Sequence, residues 1–242
     1  PGLHQVYGMR ELEEVSGFLR DLWASADAQN IPLEGAISEY APGQFELTLK
    51  HKPDALRAAD DAQLYKRIAK GVALKHGMEA TFMAKPFAER AGSGLHLHVS
   101  VNDKAGKNIF ASEDPAGSPS LRCAIGGMKK LLAESMAIFA PNANSYRRFR
   151  ANSYAPVAPA WGVNNRTVSL RVPAGGPNTR HVEHRVAVHV EEHLIDHVGD
   201  VKLGLAGFSD VLCFGQGTTG SFAIVDGDQN VFVHGAVPVS DG

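Results

Sequence analysis

The chain has little cysteine: Cys123 and Cys213 are the only two in 242 residues, and neither stands in a paired metal-ligand spacing. This excludes a disulfide scaffold and predicts a protein kept in a reducing, cytoplasmic compartment. No apolar run reaches the length of a bilayer span and no charged-then-apolar leader opens the chain, so a soluble protein is expected. Blocks of one charge sign are also missing: 24 basic and 26 acidic residues are interspersed, with a formal net charge of -2. That leaves no electrostatic footprint for nucleic acid or an anionic membrane, and points to small molecules and further copies of the chain as partners. Internal repeats and low-complexity segments are absent as well.

What is present suffices for a core, since 44% of the residues are apolar and the length suits one large or two small domains. The chain opens at Pro1 and leads at once toward a helix, from which a missing natural N-terminal part is expected. Leu12, Val15, Leu19, Leu22 and Ala26 recur at helical spacing over residues 9–29. Residues 44–50 alternate, Phe45, Leu47 and Leu49 against Gln44, Glu46 and Thr48, which predicts a half-buried strand with Glu46 turned from its apolar side. A helix is expected from Pro53 to Gly77 and a strand over Ala80–Ala84.

Leu95, Leu97, Val99 and Val101 alternate with His96, His98 and Ser100, so a strand here lines three polar groups along one face. A turn follows over Asn102–Gly106. The strongest helical pattern runs from the N-cap candidate Ser118 through Leu121, Ile125, Met128 and Leu132 to Pro141. From Pro141 to Pro177 the chain is rich in Asn, Pro and Gly, with one short strand pattern at Val168, Leu170 and Val172, as in a system of active-site loops.

Three constellations carry possible chemistry. Glu39 and Glu46 sit at the two ends of a turn feeding a strand, where carboxylates can converge on a hard divalent cation; solvated surface glutamates are the alternative. His96, His98 and Ser100 form a polar wall behind the close-approach sequence Gly92-Ser93-Gly94, with a solvent-facing strand side as the alternative. Arg147, Arg148, Arg150, Arg166, Arg171, Arg180 and Arg185 suit an anionic substrate with a polyphosphate cosubstrate, or else form a solvated basic face. On a strand, Glu183 and Arg185 share one face.

The ordered segments Glu39 to Glu46, Ala80-Thr81-Phe82-Met83-Ala84-Lys85-Pro86, Gly92 to His98, Asn144-Ser145-Tyr146-Arg147-Arg148, Asn165-Arg166-Thr167 and Glu183-His184-Arg185 together resemble the glutamine synthetase catalytic domain. The wording from Asn144 to Tyr154 and from Trp161 to Pro173 resembles the branch that includes gamma-glutamylpolyamine synthetases. The resemblance implies an α+β fold, a largely antiparallel sheet flanked by helices. It implies that Glu39 and Glu46 hold one Mg or Mn ion and His96 and Glu183 another, each completed by carboxylates from a segment absent here. It further implies that His98 and Ser100 contact ATP, that Arg166 and Arg171 lie near its phosphates, that Gly92, Arg148 and Arg185 surround glutamate, and that Arg148 and Arg166 are catalytic. The implied reaction is attack of glutamate's side-chain carboxylate on the terminal phosphate of ATP, then displacement of phosphate by ammonia or a larger amine, in a ring-shaped homo-oligomer.

Several positions depart from the family pattern. Tyr154 stands where the family has the flap glutamate that helps deprotonate ammonium, which favours a primary amine or polyamine over ammonia. Ala91 replaces an asparagine, and His181 replaces an arginine on the ATP side, with Arg180 next to it. The resemblance stops at Ala187, so residues 1–187 are expected to be a partial catalytic domain and 188–242 a divergent tail of uncertain fold. In that tail, His189, Glu192 and His193 form a His-x-x-Glu-His string, extended by His197, which gives a zinc-dependent hydrolase as a rival reading. The Gly215–Gly220 run matches a dinucleotide fingerprint in letters only, because strand-like alternation follows it where a helix should open. A non-catalytic nucleotide-binding remnant is the third reading.

Overall fold

The computed structural model describes residues 5–151 and 153–187 and the backbone of 221–235. Two short helices open the chain, α1 (Met9–Glu14) and α2 (Ser16–Asp27). The apolar spacing predicts one helix here, but Val15 leaves helical geometry (φ -107°, ψ 15°) while its neighbours keep the same buried stripe, so periodicity alone misses the break. Strands β1 (Leu33–Ser38) and β2 (Gln44–Leu49) form an antiparallel hairpin, closed by Gly43 at φ 75°, a left-handed geometry that glycine adopts without Cβ strain. Helix α3 (Ala55–Lys75) begins two residues after the start expected at Pro53, because the Asp54 side chain caps it by accepting from the Arg57 N–H at 3.0 Å. Strand β3 covers Met78–Thr81, earlier than the expected Ala80–Ala84.

Strand β4 (Leu95–Asn102) follows the predicted alternation, and helix α4 (Pro119–Phe139) takes Ser118 as its N-cap, as expected. Helix α5 (Ala143–Arg148) starts with a capping box between Asn142 and Ser145. The loop-rich stretch then supplies β5 (Trp161–Val163), β6 (Leu170–Val172) and β7 (Val182–His184), and β8 spans Ser221–Gly235. The strands make one sheet in the order β1-β2-β8-β4-β7-β6-β5, with β3 also on β8; each pairing among the described strands is antiparallel except β5 with β6. The backbone of 221–235, where the alternation after Gly220 predicts a strand within the divergent tail, is a strand that runs between the strand of Glu46 and the strand of His96. The zinc string at His189, Glu192 and His193 and the Gly215–Gly220 run lie outside the described residues.

Helices pack on one face of this sheet. Phe18 and Leu22 of α2 and Tyr65, Ala69 and Val72 of α3 bury against Phe45, Leu47 and Leu49 of β2. Leu121, Ile125 and Met128 of α4 bury against Val99 and Val101 of β4, Leu170 and Val172 of β6, and Val182 of β7. Each such fully buried side chain contributes on the order of 1.5–3 kcal/mol of apolar transfer. Because strand side chains alternate, this fixes Gln44, Glu46, His96, His98, Ser100, Arg171 and Glu183 on the opposite face. Strand β2 is not half-buried as expected: Gln44 and Glu46 are covered too, and the Gln44 Nε2 donates to the Gly92 carbonyl at 3.1 Å. The other face of the sheet is thus a polar, partly enclosed surface rather than a solvated one.

Candidate active site

Register builds the centre of this polar face. His98 on β4 and Arg171 on β6 are both direct partners of Glu183 on β7, so imidazole, carboxylate and guanidinium form one row across three strands. Directly opposed residues bring their Cβ atoms to about 4.5–5.5 Å, close enough for these side chains to meet. The Arg171 Nε donates to Glu183, and the Arg185 Nη1 donates to its other oxygen at 2.5 Å. His96 Nδ1 lies 3.4 Å and His98 Nε2 4.0 Å from that same Oε1. Glu183 is fully buried. Burial pushes its carboxyl up, but His96, Arg185, His98 and Arg171 together outweigh that and hold it below the usual carboxylate range.

Arg148 completes the cationic side. The Asn142 cap and the exchange between Asn144 and Lys85 (Lys85 N–H to Asn144 Oδ1 at 2.8 Å, Asn144 Nδ2 to Lys85 O at 2.9 Å) hold α5 against the strand region. The buried Arg148 guanidinium donates to the carbonyls of Arg185 (3.2 Å) and Val186 (3.4 Å). Desolvation, and then the charge of Arg185, bring its pKa down to about 9. Glycines make the room: a Cβ at Gly92 would meet the Ala84 carbonyl at 2.5 Å, and one at Gly94 would meet Arg148 Nη2 at 2.6 Å and His96 Nε2 at 2.8 Å. Two buried guanidiniums on one buried carboxylate, with a third, Arg148, on the backbone just after it, suit a site that takes up anions.

The remaining predicted residues fall as follows. Glu39 extends the β1–β2 ladder, its N–H donating to the Gln44 carbonyl at 2.9 Å, so it shares the face of Gln44 and Glu46; its carboxylate accepts from the Tyr40 N–H at 3.0 Å. Glu46 is buried on β2, separated from β4 by the backbone of β8. Two strand spacings of about 4.8 Å therefore lie between the carboxylate pair and His96. Ser100 is half-buried on the histidine face, and Arg166 stands exposed on the loop before β6. Among the described residues no three His, Cys, Asp or Glu side chains converge as a metal cage, and Glu183's oxygens are engaged by arginines.

For two histidines named in the sequence, His181 and His184, the placement is not readable from spacing. His181 and His98 are 83 residues apart, yet their ring nitrogens sit at 2.9 Å; only the β4–β7 register brings them together. His184, the residue after Glu183, faces the helix side, stacked 4.2 Å from Phe139, where burial and then His96 lower its pKa to about 4. Burial likewise lowers His181.

The described residues contain no helix long and apolar enough to cross a membrane. Comparison with known proteins agrees with the geometry. The family model "Glutamine synthetase, catalytic domain" matches residues 3–188. Gamma-glutamylputrescine synthetase PuuA of Escherichia coli is 46% identical over 183 residues, 76% of this chain and 39% of that protein. Glutamate–isopropylamine ligase of a Pseudomonas species is 41% identical over 76% of this chain and 39% of its own length. Gamma-glutamylethanolamide synthetase GlnA4 of Streptomyces coelicolor is 35% identical over 92% of this chain and 48% of its own length. The chain thus spans two fifths to one half of the curated relatives it matches. A solved GmaS/ADP complex superposes with a TM-score of 0.68 at 29% identity over 78% of this chain and 44% of that one, in line with the expected α+β fold. The matched motifs, the polar face they build and these relatives lead to one conclusion: the chain belongs to the glutamine synthetase family, and residues 3–188 are catalytic-domain sequence.

Proposed function

We propose that the polar face of the sheet is the nucleotide and glutamate side of an ATP-dependent ligase that joins glutamate's side-chain carboxylate to an amine. The observation that carries this reading is the buried Glu183, ringed by Arg171, Arg185 and the histidines on a face opposite the core. In the first step a carboxylate oxygen of glutamate bonds to the terminal phosphorus of ATP and ADP leaves. In the second, the amine nitrogen bonds to the acyl carbon, phosphate leaves and the amine gives up a proton. Phosphoryl transfer is catalysed mostly by positioning and by charge placed in advance, which is what fixed guanidiniums supply. Arg148 and Arg185 orient glutamate beside Gly92, Arg171 and the exposed Arg166 take phosphate oxygens, and His98 and Ser100 line the nucleotide side.

The donor set fits Mg or Mn in part. His96 with Glu183 would hold one ion and Glu39 with Glu46 another, each set offering imidazole nitrogen or carboxylate oxygen but too few ligands alone. Bound there, such ions neutralise the charge gathering on the phosphates. The named relatives act with putrescine, isopropylamine and ethanolamine-type groups, and Tyr154, exposed on its loop, cannot serve as a carboxylate. We therefore assign a primary amine or polyamine as the preferred acceptor, with ammonia the poorer one, and a homo-oligomer as the working assembly.

The test is ADP release by the protein given ATP, Mg, glutamate and a panel of amines. Amine-dependent release, larger for a diamine than for ammonia, supports the proposal; ammonia used at least as well as the amines overturns its acceptor. A second reading, nucleotide binding without turnover, follows from the chain's span of about two fifths of its relatives. It predicts ATP binding with no ADP release.

A further inference from the structure

Gln44 is buried on β2, and its side-chain amide joins the turn before it to a segment 48 residues further along the chain. Its Oε1 accepts from the Ala41 N–H at 3.1 Å. The main chain of the same residue grips the turn as well, donating to the Ala41 carbonyl and accepting from the Glu39 N–H, each at 2.9 Å. On the other side, Nε2 donates to the Gly92 carbonyl at 3.1 Å, with Ser93 Oγ at 3.5 Å. A backbone N–H only donates and a carbonyl only accepts, so the amide fits in one orientation. The Ser93 N–H, at the opposite edge of the Gly92–Ser93 peptide plane, donates to the Ala84 carbonyl at 2.9 Å. Both polar ends of one peptide are thus pinned, and with them Gly92, where an added Cβ would stand 3.1 Å from Arg148 Cγ.

We propose that Gln44 is a positioning residue: its amide clamps the Gly92–Ser93 peptide to the turn between Glu39 and Gln44, and so sets where Gly92 meets glutamate beside Arg148. The glutamate part rests on the ligase reading; the clamp does not. Glycine's backbone freedom gives the clamp its importance, since without the Nε2 bond this peptide is held at one edge only. A buried amide costs free energy unless its ends are bonded, and a Met of similar length carries no such requirement, so what the amide adds is the link itself. Gln5 provides the contrast. Its Nε2 donates to the Gln44 carbonyl at 2.8 Å and its Oε1 accepts from the Gly43 N–H at 3.2 Å, so it holds the same turn, but neither of these bonds reaches Gly92.

The experiment uses the whole chain and reads amide hydrogen exchange residue by residue by NMR, with no ligand added. In Gln44→Met the Ala41 and Ser93 amides should exchange about tenfold faster or more, while Leu132 within α4 keeps its parent rate. In Gln5→Leu the Gly43 amide should speed up and Ser93 stay as in the parent. Calorimetric titration with glutamate, in the presence of ADP and Mg, then gives affinity about tenfold weaker in Gln44→Met and within about threefold of the parent in Gln5→Leu, because small displacements of a group that orients substrate are costly. An unchanged Ser93 rate in Gln44→Met, or equal acceleration of Ser93 and Leu132, overturns the clamp. Equal glutamate losses in the two variants overturn the positioning of substrate. Should Gln44→Met not fold, the parent decides: Gln44 side-chain amide protons that exchange as fast as those of the exposed Gln63 overturn the proposal. A parent that takes up no glutamate contradicts the ligase reading, while the exchange rates judge the clamp on their own.

Discussion

Arg171 and Glu183 face one another as direct register partners across the β6–β7 ladder, and the arginine's Nε donates to the buried carboxylate. The same carboxylate takes Arg185 Nη1 at 2.5 Å, so one acidic group anchors the two guanidiniums from different parts of the loop-rich stretch. Glu183→Gln keeps the shape but strands both arginines beside an amide. Breaking a buried ion pair on one side costs on the order of 3–5 kcal/mol, and a loss in that range is expected in urea unfolding. Replacing Arg171 and Glu183 together by Met and Leu should cost clearly less than the sum of the single changes.

Gly94 tests whether space, rather than flexibility, matters at the start of β4. In Gly94→Ala the new Cβ meets Arg148 Nη2 at 2.6 Å and His96 Nε2 at 2.8 Å, so both groups must move. We expect ATP binding to weaken tenfold or more, measured by calorimetry. Gly126→Ala is the control: it lies in the middle of α4 with nothing within 4 Å of the added carbon, and should stabilise the chain by about 0.5–1 kcal/mol.

His184 makes an acid limb. Its folded pKa of about 4 lies below the ordinary 6.5, so between those values the unfolded chain binds a proton that the folded chain does not. Stability is unaffected above pH 6.5 and falls by roughly 1.4 kcal/mol per pH unit as pH drops through the window. Glu183, also held low, adds its own loss only below the ordinary carboxylate range. Thermal melts from pH 7 to pH 4 should show a shallower decline in His184→Leu than in the parent.

Much of this architecture was legible in the chain. The Ser118 cap with the apolar stripe of α4, and the alternation from Leu95 to Val101, depend on neighbours three and two residues away, and both elements appear as read. The break at Val15 was hidden because its apolar stripe runs on unbroken. The placement of residues 221–235 inside the sheet was not readable, since strand order depends on pairings between distant segments. The same holds within the site. Sequence spacing put Glu183 and Arg185 on one face, but the row His98, Glu183, Arg171 exists only through the register of β4, β7 and β6.

The central claim is that Glu46, His96 and Glu183, from three strands of one face, serve a single nucleotide and cation pocket. The most direct measurement is calorimetric titration of the chain with ATP in the presence of Mn, repeated for Glu46→Ala, His96→Ala and Glu183→Ala. The account predicts Mn-dependent ATP binding in the parent and at least a tenfold loss in each variant. Affinity unchanged in all three, or stoichiometric zinc that disappears on His193→Ala in a chain that binds no ATP, would contradict it.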